Sequence, residues 1–262
     1  MERTLNKIGI LTFVANVDDG VFNYTKSLID ALKKDCTNKY ILFCNENDDR
    51  FDNYDLEMRT ICKPKSNLFT KVVTFIQFIF LIRKPYLLTK DEIDLFNDIK
   101  FFISPAVSAY PHFFVNKPFV FTLHDMQEKY YPHYFTLYER FTRWVNNKTL
   151  AKCAHRIICE SQYVKNDITN FTDTIPEKVV IIQSPPPENL LNYLFHKYKY
   201  IKIKNKYKLP VNYILYPAQS WPHKNHLKLL EAFSIVNKNH LDINLILTGN
   251  INNNYKNILK KN

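Results

Sequence analysis

The chain has few of the residues that build glycine loops, disulfide frameworks or secretion signals. Only three of its 262 residues are glycine, namely Gly9, Gly20 and Gly249. Its five cysteines are odd in number and include no C-x-x-C pair, which argues against a disulfide scaffold or a zinc ribbon. The N-terminus runs into a strand-like segment without the apolar region of a signal peptide. We therefore expect a protein of the reducing cytoplasm with no cluster of metal ligands.

The composition is that of a globular protein with an excess of positive charge. Hydrophobic residues make up 46% of the chain and aromatic residues 15%, which is enough for a core. Lys and Arg number 36 against 25 Asp and Glu, and the net charge of +11 suits phosphorylated substrates, anionic membranes or nucleic acid. The aromatic residues lie inside apolar runs instead of alternating with arginine, and the sequence has no zinc-finger spacing, RNA-recognition motif or basic heptads. We therefore predict no nucleic-acid partner.

One apolar stretch, from Val72 to Ile82, raises the question of a membrane contact. Its eleven residues are bounded by Lys71 and by Arg83 and Lys84. They are too few to span a bilayer as a helix, which takes roughly 20 residues. A buried helix packed on a sheet explains the stretch. A helix with cationic ends that lies on an anionic leaflet explains it as well, so a peripheral membrane contact stays open.

Strand-like and helix-like segments alternate along the chain, which predicts an α/β fold with a parallel sheet covered on both faces. The predicted strands are 7–13, 40–44, 59–62, 100–104, 118–123, 155–159, 178–182, 213–216 and 243–248. The predicted helices are 21–34, 72–82, 136–154, 161–171, 226–239 and a last one within 252–262. We interpret residues 1–187 as a Rossmann-like domain, 188–211 as a lysine-rich linker, and 212–262 as the first βαβ unit of a second Rossmann-like domain.

The most specific motif is a strand, a turn and a helix that begin at Tyr213. The apolar strand leads into the turn Trp221-Pro-His-Lys-Asn225, which delivers Lys224 and Asn225 to the start of an amphipathic helix. In a parallel α/β domain, this arrangement presents a cation and free backbone N–H groups to a phosphate. The motif therefore predicts an anion site in the second domain.

This segment resembles the start of the donor-binding domain in group 1 (family 4) glycosyltransferases. The resemblance implies a GT-B-type fold, in which two Rossmann-like domains face each other across a cleft. It places Lys224, Asn225 and Gln219 at the diphosphate of a nucleotide-sugar. Many members of the family carry Gly-Arg where this chain has Ala218-Gln219. That difference removes one bidentate phosphate contact and leaves Lys224 as the main cation.

The resemblance also gives a role to the strand end at Phe121-Thr-Leu-His-Asp125. Polar residues at the carboxyl end of a parallel strand open into the ligand crevice of such folds. His124 is thereby expected to reach the transferred sugar, and Asp125 to serve its orientation. A buried structural histidine is the alternative from the sequence alone.

Three weaker signals fall on the acceptor side. The first is the junction of the first strand and first helix, where the family has a short glycine loop; an ordinary turn and helix cap explains it too. Its residues are Asp19, Gly20, Asn23 and Tyr24. Tyr131 belongs to an aromatic segment that fits either an acceptor-side lining or a packed loop. Ser161 follows a strand and is explained by a helix cap or by a ligand contact.

The resemblance implies transfer of a sugar from a nucleotide-sugar to an acceptor hydroxyl, with retention, the acceptor being a glycan, a polysaccharide or a lipid-linked molecule. Neither a metal nor a cofactor is required, and the place of action is the cytoplasm or the inner face of the membrane. The family's pair of glutamates separated by seven residues does not occur in this chain. We therefore expect a C-terminally truncated fragment with weak or no activity alone.

Two other interpretations stay open. The chain could be a non-catalytic acceptor-binding or partner-docking module that pairs with a separate donor-side chain, and that chain would cover apolar residues around Ile243–Leu247. The other is a sugar-nucleotide epimerase of similar architecture. The turn at Trp221–Asn225 argues against this last interpretation, because it points to transferases.

Overall fold

Two parallel sheets organise the chain, one in each of the units Met1–Leu191 and Asn192–Asn262. The computed structural model describes residues 5–14, 20–46, 48–61, 68–84, 88–113, 116–184, 197–238 and 242–249. All strand pairs in both sheets are parallel, as the alternation of strands and helices in the sequence predicts. The predicted α/β class is therefore confirmed.

The sheet of the first unit has seven strands in the order β3-β2-β1-β4-β5-β6-β7. The strands are β1 (Asn6–Leu11), β2 (Asn38–Asn45), β3 (Glu57–Ile61), β4 (Phe101–Ser104), β5 (Phe119–Thr122), β6 (Arg156–Cys159) and β7 (Val179–Ile181). The order reverses between β1 and β4. In open α/β sheets, this switch point leaves a crevice at the carboxyl ends of the strands, where ligands bind.

Helices connect these strands. They are α1 (Gly20–Leu32), α2 (Leu68–Ile79), α3 (Lys90–Asp94), α4 (Tyr110–Phe113), α5 (Gln127–Tyr130), α6 (Leu137–Cys153) and α7 (Gln162–Thr172). Short 3-10 turns lie at Thr12–Val14, Pro132–Tyr134 and Pro176–Lys178. α6 begins with a capping box, in which Thr136 accepts from the N–H of Glu139 and the Glu139 carboxylate accepts from the N–H of Thr136.

The helix predicted over 72–82 is shifted towards the N-terminus and runs from Leu68 to Ile79. Leu81, two residues after its end, has left-handed backbone with φ 52°, which is incompatible with continuing the helix. In the part of the chain that the structure describes, no helix is long and apolar enough to cross a bilayer.

The core of the first unit forms two layers, one on each face of the sheet. Neighbouring residues of one strand point to opposite layers, so that Phe43 packs on one side and Leu42 on the other. Gly9 lies beneath the first layer, and a Cβ atom there would come within 2.4 Å of the Phe102 ring and 2.8 Å of the Phe43 ring. The absence of a side chain at Gly9 therefore makes room for an aromatic layer.

The second unit contains the predicted βαβ segment. Its elements are α8 (Lys197–Lys206), β8 (Asn212–Pro217), a 3-10 turn (Pro222–Lys224), α9 (His226–Asn237) and β9 (Ile243–Thr248). β8 and β9 pair in register from Asn212 opposite Ile243 to Pro217 opposite Thr248. α8 occupies part of the predicted linker, and the helix predicted within 252–262 lies outside the described residues.

Left-handed backbone occurs at several residues that are not glycine. They are Leu81 (φ 52°), Asp173 (φ 56°), Lys208 (φ 48°) and Asn225 (φ 52°). Leu81, Asp173 and Lys208 lie at or just beyond the C-terminal end of an α-helix, where a left-handed residue is common and glycine is the usual choice. Asn225 lies between a 3-10 turn and α9. With three glycines in the whole chain, these turns are formed by residues that carry a Cβ atom.

Candidate functional site

The imidazole of His124 lies at the carboxyl edge of the first sheet, two residues after β5. Its Nε2 atom lies 2.9 Å from the carbonyl oxygen of Pro105, which follows β4. Its Nδ1 atom lies 2.9 Å from Oε2 of Glu160, which follows β6. Because a carbonyl oxygen can only accept, Nε2 is the donor in the bond to Pro105. Residues from three adjacent strand ends thus fix this ring.

Tyr24 of α1 completes the group of residues around His124, which we call the His124 cluster. Its ring meets the His124 ring edge to face, with centroids 4.8 Å apart. Its hydroxyl lies 2.9 Å from Oγ1 of Thr122 at the end of β5. The side chain is buried, and this burial raises the pKa of Tyr24, so the phenol stays neutral. Of the residues predicted on the first loop, Tyr24 is the one that the structure brings to His124.

The rest of that loop is arranged differently. Gly20 is the first residue of α1, and a Cβ atom built there would meet nothing within 4 Å. Asn23 is exposed, and its carbonyl accepts from the Ser27 hydroxyl at 3.0 Å. Asp19 lies outside the described residues. The described part of the loop therefore shows no steric need for glycine at position 20.

The remaining candidates of the first unit have local partners. Asp125 is exposed and accepts from the backbone N–H of Gln127 at 3.3 Å and from its side-chain amide at 3.1 Å. Ser161 is the N-cap of α7, and its hydroxyl accepts from the Val164 N–H at 3.2 Å. Tyr131 is half exposed beside the Tyr134 ring, at 5.9 Å between centroids. The helix-cap alternative thus accounts for the Ser161 hydroxyl.

Glu160 is the partner of His124 that the sequence analysis did not select. It immediately precedes Ser161 and stands at the carboxyl end of a parallel strand, the position from which His124 was selected. The same strand-end rule could have selected it. Its role as the partner of His124 depends on β5 and β6 being neighbours, which the sequence does not specify.

In the second unit, aromatic and hydrogen-bond contacts hold the turn Trp221–Asn225, which we call the Lys224 turn. The hydroxyl of Tyr216 in β8 donates to the carbonyl of Lys224 at 2.7 Å, and the Tyr216 ring meets the buried His226 ring at 5.1 Å. Nε1 of Trp221 donates to Oε1 of Gln219 at 2.6 Å. The backbone of the turn is therefore fixed while the Lys224 side chain is exposed.

Asn225 begins α9 without capping it. Its backbone is left-handed, and its side chain accepts no hydrogen bond from the first turn of the helix. The first helical bond runs from the Leu229 N–H to the Asn225 carbonyl at 3.2 Å. The Lys224 ammonium has no hydrogen-bond or ion-pair partner among the described residues. A cation and an uncapped helix N-terminus thus stand together at this turn, and both favour an anion.

The strand ends beside this turn approach closely. Gly249 follows β9 with φ 135°, and a Cβ atom there would lie 2.2 Å from the Ala218 carbonyl oxygen. The Ala218 N–H donates to the Thr248 carbonyl at 2.9 Å. Glycine is required here for both conformation and space.

The described residues contain no group of three His, Cys, Asp or Glu side chains placed to hold a metal ion. The strand order, with its switch point at the carboxyl edge of the first sheet, defines an α/β protein with a Rossmann-like sheet. A family model described as Glycosyltransferase Family 4 matches residues 19–185, more than half of the 262-residue chain. The chain belongs to this family.

Solved structures share the fold at low identity. HepE of Anabaena, in complex with UDP and glucose, has a TM-score of 0.63 and 14% identity, with 98% of this chain and 64% of that chain covered. A glycosyltransferase of Rickettsia africae has a TM-score of 0.54 and 14% identity, with 94% and 69% covered. UDP-GlcNAc 2-epimerase of Neisseria meningitidis, bound to UDP-GlcNAc, has a TM-score of 0.57 and 12% identity, with 98% and 68% covered.

The chain therefore spans about 64% of the length of HepE. No curated protein matches its sequence. A glycosyltransferase and an epimerase share the fold, so the fold alone does not decide between these activities.

Proposed function

We propose that the protein is a glycosyltransferase that moves a sugar from a nucleotide-sugar to an acceptor hydroxyl with retention. The observation that carries the proposal is the Lys224 turn, in which an exposed ammonium without an ion partner among the described residues stands at an uncapped helix N-terminus. A departing nucleoside diphosphate bears the charge that such a site stabilises. The complex of HepE with UDP and glucose supports a nucleotide-sugar as the donor.

The residues divide the chemistry between two strand-edge sites. Lys224 and the first turn of α9 would neutralise the negative charge that develops on the diphosphate as its bond to the sugar breaks. The acceptor hydroxyl would add to the face of the sugar from which the diphosphate leaves, as retention requires, and its proton would pass to the departing diphosphate. His124 would steady the sugar, with Glu160 holding the ring. The Nε2 bond to Pro105 is the one that a sugar hydroxyl would replace, because Pro105 offers only a backbone carbonyl.

The acceptor and the place of action are inferred from the family to which the chain belongs. We propose a glycan or lipid-linked acceptor and action in the cytoplasm, at the inner face of the membrane, where such acceptors meet nucleotide-sugars. No metal and no cofactor enters the proposed mechanism, since Lys224 and the helix terminus provide the positive charge.

Binding of a diphosphate to the isolated chain tests the proposal. Titration calorimetry with UDP and with inorganic pyrophosphate should show binding that Lys224→Ala weakens by about 10-fold to 100-fold, since a hydrogen bond to a charged group is worth about 1.5–3 kcal/mol. Lys238→Ala is the matched control, because Lys238 is an exposed lysine at the opposite end of the same helix. Equal losses in both variants, or no loss in Lys224→Ala, would contradict the assignment.

The reaction type needs a separate measurement. Incubation with UDP-glucose and UDP-GlcNAc, followed by chromatography of the nucleotides, separates the two classes of enzyme. Release of UDP supports transfer. Conversion to a second UDP-sugar without UDP release would favour the epimerase interpretation.

The partner-docking alternative has one observation in its favour. Ile214 and Leu215 of β8 are neighbours on opposite faces of the two-stranded sheet, and both are about half exposed. A partner chain that covers these faces would make the protein part of a complex. Sedimentation of the chain as a monomer at every concentration would argue against this alternative.

A further inference from the structure

Most of the large apolar side chains of helix α2 face solvent. Its buried residues are Gln77 and Phe78. Its exposed residues include six large apolar side chains at helical spacing, namely Leu68, Phe69, Val72, Phe75, Ile76 and Ile79. A helix that packs on a sheet places its apolar stripe inside, so an outward apolar stripe requires another explanation.

The neighbouring helix α6 extends the same apolar surface. Its exposed large side chains are Leu137, Tyr138, Phe141 and Trp144. The rings of Phe75 and Phe141 join the two helices at 6.2 Å between centroids. An apolar groove of about 730 Å³ runs between the helices, with Phe78, Tyr138 and Val145 in its lining. We call these exposed side chains of α2 and α6 the α2–α6 face.

The α2–α6 face carries positive charge. Lys71 on α2 and Arg140 on α6 are exposed and have no ion partner among the described residues. Arg143 is paired with Glu128, and Glu139 serves in the capping box of α6. Around α2 the sequence is more one-sided, since residues 58–90 contain seven Lys or Arg and no Asp or Glu.

We propose that the α2–α6 face docks the protein on an anionic lipid bilayer. Apolar side chains as exposed as Phe69 (70%) and Leu137 (80%) would enter the boundary between headgroups and acyl chains. Lys71 and Arg140 would remain among the anionic headgroups, where each basic residue strengthens binding by about fivefold. A wide apolar surface that also carries unpaired cations matches the boundary of an anionic leaflet, where apolar and charged layers lie side by side. The docking does not depend on sugar transfer, because no residue of this face belongs to the Lys224 turn or the His124 cluster.

Flotation of the 262-residue chain with vesicles tests the proposal. Vesicles of phosphatidylcholine with about a third phosphatidylglycerol should retain the protein at 0.1 M salt, and vesicles of phosphatidylcholine alone should retain at least tenfold less. Raising the salt to about 0.5 M should release a large part of the bound protein, because it screens the charges. Equal binding to both kinds of vesicle, or no binding to either, would overturn the proposal.

Paired variants locate the contact. Phe69→Ser with Leu137→Ser should weaken vesicle binding by about tenfold or more. Ile175→Ser with Val211→Ser is the matched control, because these side chains are similarly exposed (65% and 80%) but lie outside the α2–α6 face. Lys71→Glu with Arg140→Glu should abolish the preference for anionic vesicles, whereas Lys238→Glu should preserve it. Circular dichroism confirms that each variant is folded.

The same variants distinguish a lipid bilayer from a second copy of the chain as the partner of the α2–α6 face. If the wild-type chain sediments as a dimer that Phe69→Ser with Leu137→Ser dissociates, and does not float with vesicles, the face is an interface between two copies and the membrane proposal is wrong. Equal loss of vesicle binding in the test pair and in the Ile175→Ser and Val211→Ser control would also overturn it. Lys224→Ala should weaken UDP binding and leave vesicle binding unchanged, which separates this proposal from the sugar-transfer one.

Discussion

His124 and Glu160 follow neighbouring strands and meet at 2.9 Å between Nδ1 and Oε2. We expect this pair to be energetically coupled. A double-mutant cycle with Glu160→Ala, His124→Ala and the double variant, followed by urea unfolding, should give a coupling of about 1 kcal/mol, since both side chains are partly exposed. Glu177→Ala, an exposed carboxylate elsewhere, should change stability by less than about 0.5 kcal/mol. A coupling near zero would show that Glu160 does not hold the ring.

The glycines of the first unit should respond in opposite ways to alanine. Gly9→Ala places a methyl group within 2.4 Å of the Phe102 ring, and overpacking of this kind costs about 1–3 kcal/mol. Gly20→Ala adds a methyl group in open space at the first residue of α1, where it should be neutral or stabilising by up to about 1 kcal/mol. The midpoints of urea unfolding compare the two variants. A destabilised Gly20→Ala would indicate a close approach of backbone at this loop.

Acid should destabilise the first unit through His112. Burial lowers the pKa of His112 from 6.5 to about 4, and the nearby charge of Arg83 contributes. The unfolded chain therefore binds this proton at a higher pH than the folded chain, and the stability that His112 provides above pH 6.5 is lost as the pH falls towards 4. His112→Gln should show a smaller loss of stability between these limits than the wild type. An equal loss in both proteins would contradict the assignment.

The βαβ segment of the second unit should depend on Gly249. Gly249→Ala combines a strained φ of 135° with a contact of 2.2 Å to the Ala218 carbonyl. We expect destabilisation of about 2 kcal/mol or more and weaker diphosphate binding, because the strand ends that support the Lys224 turn would separate. Hydrogen exchange of the β8 amides measures the first effect and calorimetry the second. Unchanged exchange would show that the strand ends tolerate the methyl group.

The sequence predicted the central strands of the first sheet well because they are buried on both faces. Runs such as Tyr40–Cys44 and Phe119–Phe121 are continuous in apolar residues, which is typical of parallel strands between two layers of helices. The helices α3, α4 and α5 were missed, since four or five residues carry no periodic pattern. The pattern of α2 was visible, but periodicity does not tell which stripe of a helix faces the sheet.

The site was predictable in part. His124 could be selected because polar residues at strand ends face the crevice, and Lys224 because of the turn that carries it. The pairing of His124 with Glu160, and of Tyr24 with Thr122, could not be predicted, since both depend on which elements become neighbours in the folded unit. The local cap at Ser161 was one of two alternatives, and its hydroxyl is occupied by the helix it begins.

The shortage of glycine has left a mark on the backbone itself. Leu81 and Lys208 hold left-handed conformations that cost an ordinary side chain about 1–2 kcal/mol per residue, whereas Asp173 and Asn225 are of types that tolerate them. Glycine adopts the same conformation without this steric cost. Leu81 and Lys208 are therefore positions where shortening the side chain to glycine would remove backbone strain without adding any contact.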